Sequence, residues 1–261
     1  MEGRLTLSDS LPEQLLTVKM EHRVGAISLN VSFALMGPWT VLFGPSGSGK
    51  TTVLRTIAGF VRPDAARIVY GPLERRLVST AEGVFVPAYL RPVRSAAQSA
   101  RLFSDMSVRD NVLFGMAWHS HPEDELQVLD EVLELMRLTT LAERGTEQLS
   151  GGERQRVSVA RALAAAAAFD GTDKPLLLLD EPFSGLDELL RDSLALEMRS
   201  WLARRKIPVL SVSHDVGECY LLRADVVRMA EGRVIEQGPV GVVLAEERRR
   251  LMERLRAGST A

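Results

Sequence analysis

The run Gly44-Pro45-Ser46-Gly47-Ser48-Gly49-Lys50-Thr51-Thr52 stands between two apolar segments of different period. Before it, Trp39, Thr40, Val41, Leu42 and Phe43 read as a short buried strand; after it, Val53 to Gly59 has helical spacing. Gly44, Gly49, Lys50 and Thr51 meet the phosphate-loop pattern G-x-x-x-x-G-K-[ST], and the strand, loop, helix order supplies the context that pattern needs. Glycines let the backbone curl so that successive N–H groups point at phosphate oxygens, and the helix start adds unsatisfied donors and a positive dipole end. Lys50 then reaches the outer phosphates, and the Thr51 hydroxyl ligates Mg²⁺.

Two further stretches carry chemistry. Leu177, Leu178, Leu179, Asp180, Glu181 and Pro182 form an apolar strand ending in two adjacent carboxylates. Ligands of a parallel sheet sit off the carboxyl ends of its strands, so both acids are expected to project toward the phosphate loop. Asp180 is placed to hold Mg²⁺ and Glu181 to polarise an attacking water. Leu149, Ser150, Gly151, Gly152, Glu153, Arg154, Gln155 and Arg156 open a helix that is expected to run to about Ala168. Ser150 suits an N-cap, and an exposed Ser-Gly-Gly helix start is also a second anion site.

Composition bounds the rest. With 261 residues, 46% apolar and 25% charged, the chain has the balance of a soluble globular protein with a sizeable core. A formal net charge of −2 gives no long-range attraction to nucleic acid or an anionic membrane, and no nucleic-acid partner is expected. The single cysteine, Cys219, leaves no internal disulfide framework and suits a reducing compartment as an inert core thiol. Glu2, Asp9 and Glu13 break up the start of the chain, so no secretory signal is expected there. No run approaches the roughly eighteen apolar residues of a membrane span, and a cytoplasmic location is the expectation.

Around these motifs, Leu15 to Met20 and Ala26 to Leu35 read as an antiparallel strand pair, with Gly37-Pro38 as the turn before the phosphate loop's strand. Arg67 to Val93 reads as a small β-rich insertion, and Val108 to Met116 and Glu123 to Met136 as helices whose Leu126, Leu129, Val132, Leu133 and Met136 are core. Strand and helix then alternate: Leu176 to Asp180, Glu188 to Arg205, Val209 to Ser213, Val226 to Met229 and Arg233 to Gln237. A final helix over Val243 to Arg256 carries Arg248, Arg249, Arg250, Arg254 and Arg256 on a solvated face. The expected class is α/β, a P-loop NTPase (RecA-like) core sheet with an antiparallel β subdomain and an inserted helical subdomain.

Joined to the phosphate loop and to Asp180-Glu181, the run from Leu149 to Arg156 resembles the signature motif of the ATP-binding cassette (ABC) ATPases, and the resemblance covers nearly the whole chain. It implies one cassette: a core with its β subdomain over about 1–98 and 170–240, a helical subdomain over about 99–168 and a C-terminal helix over about 241–261. It implies ATP and Mg²⁺ as cofactors, and a two-fold dimer in which Ser150, Gly151 and Gly152 of one copy close on the nucleotide held by the other. Ser184, Gly185, Leu186 and Asp187 resemble the loop crossing that interface, and His214 in Ser213-His214-Asp215 resembles the family's switch histidine. Gln98, followed by Ala100 to Phe103 and Met106 to Asn111, resembles the glutamine that contacts Mg²⁺ or the attacking water and senses the membrane partner.

Some residues depart from the family pattern. Ala96 and Ala97 replace bulky residues before the glutamine, and Ser104 stands where proline is common. The family normally stacks an aromatic ring on adenine, and the matching stretch, Met20 to Val24, offers only His22 as a planar group. Ala164 to Asp173 looks like an insertion, expected to form an extended helix and loop on the surface without new chemistry.

A lone nucleotide-binding chain of this kind most resembles an importer ATPase that docks from the cytoplasmic face, as a peripheral subunit, onto a separate permease served by an extracytoplasmic solute-binding protein. Gln98 to Phe103, with the spacing of Gly59, Arg67 and Arg91, is similar to the molybdate-type branch. The chain ends near Ala261 without the β-rich regulatory domain many such subunits carry, so regulation through that domain is not expected. The rival from the same resemblance is a soluble ABC ATPase of another system, such as iron–sulfur cluster assembly.

Overall fold

The computed structural model describes residues 15–35, 37–116, 122–171 and 174–258. Within them one eleven-stranded sheet has two halves of different character. Strands β1 (Leu16–Val24), β2 (Ile27–Leu35), β3 (Trp39–Phe43), β4 (Ala65–Tyr70), β5 (Arg75–Ser79) and β6 (Val84–Phe85) are followed by β7 (Val93–Ala96), β8 (Leu176–Asp180), β9 (Val209–Ser213), β10 (Asp225–Ala230) and β11 (Arg233–Pro239). Their order across the sheet is β6-β5-β4-β1-β2-β11-β10-β3-β9-β8-β7. From β6 to β2 every pairing is antiparallel, and from β10 to β7 every pairing is parallel.

The parallel half explains why Trp39 to Phe43 and Leu176 to Asp180 read as unbroken apolar runs: both of their faces are covered. Helix α1 (Lys50–Ala58) lies on one face, where Val53, Leu54 and Ile57 join Leu42, Leu176, Leu178, Leu210 and Val212 and meet Met20, Leu29 and Val31 of the antiparallel half. On the other face Val41, Leu177, Leu179 and Val209 pack with α2 (Val108–Phe114), α3 (Pro122–Leu135), α4 (Gly151–Ala167) and α5 (Glu188–Arg205). Helices α6 (Val216–Leu222), α7 (Val240–Val243) and α8 (Ala245–Gly258) complete the order. No helix among the described residues is long and apolar enough to cross a membrane.

Several expectations are corrected. The stretch from Arg67 to Val93 is not a separate insertion: β4 pairs directly with β1, extending the antiparallel half, and its end leads into β7, the far edge of the parallel half. Leu126 is 55% exposed while Leu129, Val132, Leu133 and Met136 are buried, because the apolar stripe of α3 begins one turn later. The alanines that looked like a surface extension are largely interior: Ala164, Ala165 and Ala166 are buried, and their small side chains let α4 lie close to α2. The insertion's end, at Thr172 and Asp173, lies outside the described residues, as do residues 1–14 and the side chains of Arg254 and Arg256. The single final helix is two, α7 and α8, and Arg249 and Arg250 form exposed pairs with Glu246. Cys219 is buried, and burial pushes its thiol pKa up.

Candidate active site

The loop after β3 folds over its own lysine. Lys50 Nζ donates to the Gly44 and Pro45 carbonyls at 2.8 Å each and lies 3.4 Å from Ser48 Oγ. Gly44 is required where it stands, since a Cβ there would come within 2.1 Å of the Met229 carbonyl oxygen on β10. Helix α1 starts at Gly49 with no side-chain cap and no acidic residue in its first turn, so its leading N–H groups are free for an anion. Burial holds the Lys50 ammonium below its usual range, with Glu181 and Asp180 acting in the opposite sense.

Both carboxylates at the end of β8 face this cradle, in different surroundings. Asp180 is buried, and Thr51 Oγ1 donates to its Oδ1 at 3.3 Å. Burial raises its pKa; the Thr51 bond opposes that shift. A buried acid beside a hydroxyl at the phosphate loop is an oxygen pair suited to a hard cation. Glu181 sits at φ 49°, a left-handed conformation rare for a side chain of this size, which turns it out of the strand and toward the cavity. Gln98 Nε2 donates to its Oε2 at 3.0 Å, and His214 Nδ1 lies 3.3 Å from its Oε1. The cavity, about 370 Å³, is lined on its polar side by Ser46, Gly47, Gly49, Lys50, Thr51, Thr52, Gln98 and Glu181.

The second glycine-bearing helix start does not share that cavity. Ser150 caps α4 through a reciprocal pair, its Oγ accepting from Glu153 N at 3.3 Å and its own N–H donating to Glu153 Oε2 at 2.7 Å. Ser150 and Gly151 are exposed, while Gly152 is half-buried near Leu186 and Gly185. Asp187, exposed, caps α5 by accepting from Leu190 N at 3.0 Å.

Residues 28–184 match the family described as ABC transporter, a span that holds the phosphate loop, Gln98, the Ser150 helix start and the Asp180-Glu181 pair. The chain belongs to the ABC transporter family. Relatives of this ABC chain include the molybdenum import ATP-binding protein ModC of Mesorhizobium japonicum, 40% identical over 87% of the chain and 59% of that protein. The ModC protein of Rhizobium etli is 37% identical over 88% of the chain and 62% of its own length. The chain thus spans about three fifths of the length of these curated relatives. Among solved structures, cbiO1 from Clostridium perfringens, part of the ABC transporter complex cbiONQ, superposes with a TM-score of 0.73 at 26% identity, covering 95% of this chain and 97% of that one.

Two features of the ABC site escaped the sequence reading. The apolar wall of the cavity is Val24, Ile27, Leu29 and Val212, with Val24 and Ile27 paired at the tip of the β1–β2 hairpin. The hairpin's alternation was legible, but nothing in it marks an aliphatic pair as facing a ligand. His22, the planar group expected beside adenine, does not line the cavity; its Nδ1 pairs with Asp64 at 3.2 Å. The reason is local: Asp64, just before β4, accepts from the backbone of Arg23 at 2.8 Å and thereby stands beside the imidazole. The other feature is a buried acid behind His214, Glu218.

Proposed function

We propose that this chain is the ATP-hydrolysing subunit of an importer for molybdate or a related oxyanion, acting as a two-fold dimer against a separate permease. The observation that carries it is the placement of Glu181 between Gln98 and His214 at the rim of the Lys50 cradle. The names of the 37–40% identical relatives support the solute class.

In this reading the cradle's N–H groups, from Ser46 to Thr52, and Lys50 bind and orient the phosphates of ATP. Thr51, Asp180 and Gln98 would hold Mg²⁺, which when bound neutralises charge on the phosphate oxygens. Glu181 accepts a proton from the attacking water, and Gln98 and His214 fix the direction of its carboxylate. The Ser150 N–H is taken up by Glu153, so the donors offered to a second copy's nucleotide would be the Ser150 hydroxyl and the leading N–H groups of Gly151 and Gly152, with Asp187 bordering the same face. The permease would meet the surface near Gln98, where Phe103 and Phe114 are exposed and in ring contact at 4.3 Å. A solute-binding protein would act through that permease from the other side of the membrane, with the chain peripheral on the cytoplasmic face.

The test is reconstitution. Co-purified with a molybdate-type permease from detergent extract and placed in proteoliposomes, the chain is expected to drive ATP-dependent molybdate accumulation that is lost in Lys50→Ala. Recovery with soluble scaffold proteins only, and no uptake, would overturn the importer reading.

A further inference from the structure

Behind His214 lies a buried acid that the proposed chemistry does not use. Glu218, on the first turn of α6, is 6% exposed, and its Oε2 accepts from Ser213 Oγ at 2.9 Å. The Ser213 hydroxyl in turn accepts from Asp215 N at 3.1 Å, and Asp215 Oδ1 accepts from Glu218 N at 2.9 Å. In an ordinary capping box the acid at the third helical position reaches back to the N-cap N–H itself. Here the Ser213 hydroxyl is interposed, so the closed ring of bonds includes both residues flanking His214.

We propose that Glu218 is a positioning residue for His214, fixing the Ser213 to Asp215 turn and with it the imidazole's approach to Glu181. Three observations support this. The ring has no slack on the strand side, because Ser213 is buried at the end of β9, in register with Phe43 of the phosphate loop's own strand. It is anchored on the helix side, because Arg191 Nη1 donates to Asp215 Oδ2 at 3.0 Å. The His214 side chain itself is 65% exposed, and among the described residues its side-chain partner is Glu181, at 3.3 Å. The charged groups that act on Glu218 are Asp215, Arg191 and Glu181. Burial dominates them and brings its carboxyl up to about 7, so a neutral amide is a close substitute for it.

The inference rests on the proposed role of His214 in ATP hydrolysis, and the experiment separates the two. With the purified chain, Glu218→Ala is expected to lower kcat about tenfold while leaving KM for ATP unchanged, since among the described residues none of the ring's bonds reaches the cradle. Glu218→Gln should restore most of that rate. In a His214→Ala background, adding Glu218→Ala should cost nothing more, because the group it orients is gone. Should Glu218→Ala melt below the assay temperature, Ser213→Ala removes the same bond from its other end and should show the same loss in kcat alone. A normal kcat in Glu218→Ala beside a crippled His214→Ala, or losses that multiply in the double variant, would overturn this inference alone. An unchanged kcat in His214→Ala would overturn the role of the histidine and this inference with it.

Discussion

Gln98 Nε2 donates to Glu181 Oε2 at 3.0 Å, tying the end of β7 to the acid at the end of β8, while His214 stands at the carboxylate's other oxygen. One side chain therefore contacts groups from two neighbouring strands. Glu181→Gln keeps the size and the contacts but removes the basic oxygen. It is expected to lower kcat by roughly 10²–10⁴ while nucleotide binding persists. Steady-state phosphate release beside a fluorescent-nucleotide titration checks both halves; turnover near the wild-type rate would remove Glu181 from the role of base.

Lys50 is buried, and its ammonium donates to two loop carbonyls. Lys50→Ala removes both the charge and the bonds that shape the loop. Charge-assisted hydrogen bonds are worth about 1.5–3 kcal/mol, so nucleotide affinity should fall by roughly one to two powers of ten. Isothermal titration would measure it, and an unaltered Kd would show that the loop binds without its lysine.

Gly115 follows α2 with ordinary right-handed backbone angles, so an alanine there carries no conformational strain and would by propensity favour the helix. Packing reverses the sign. An added Cβ would lie 2.5 Å from the Arg161 carbonyl oxygen and 3.3 Å from the Ala165 Cβ on α4. Gly115→Ala is therefore expected to destabilise by about 1–3 kcal/mol, seen as a lowered denaturation midpoint. A raised midpoint would mean that α2 and α4 do not approach this closely.

Glu218 holds its proton up to a pH of about 7 in the folded chain, against an ordinary value of 4.5. Between those values the native state binds more protons than the unfolded one, so this group's contribution to stability falls as pH rises, and above about 7 the full cost of a buried charge is present. Glu218→Gln removes that cost. Its stability advantage over wild type should grow across the window and reach about 2–3 kcal/mol at pH 8. Urea titrations at pH 5 and pH 8 test this; a difference independent of pH would place the carboxyl in the ordinary range.

The candidate site was legible because phosphate binding needs particular residue types at particular spacing, and those residues are contiguous in the chain. Gly44 to Thr52, Ser150 to Gly152 and Asp180-Glu181 could be located from residue order alone, and so could most strands and helices, whose periods come from burial on one face or two; β7 and the break between α7 and α8 could not. Contacts between distant segments were not legible. Whether the alanines after Leu163 face solvent depends on how closely α2 passes, and whether His22 meets a base depends on Asp64, forty-two residues away. Residue order likewise does not say which side of a hairpin Val24 and Ile27 present to a cavity, or that Ser213 comes between Glu218 and its cap. Local sequence sets what each segment can bond to; only close packing of segments remote in the chain selects which of those bonds form, because each buried polar group must take the partner that the neighbouring element brings.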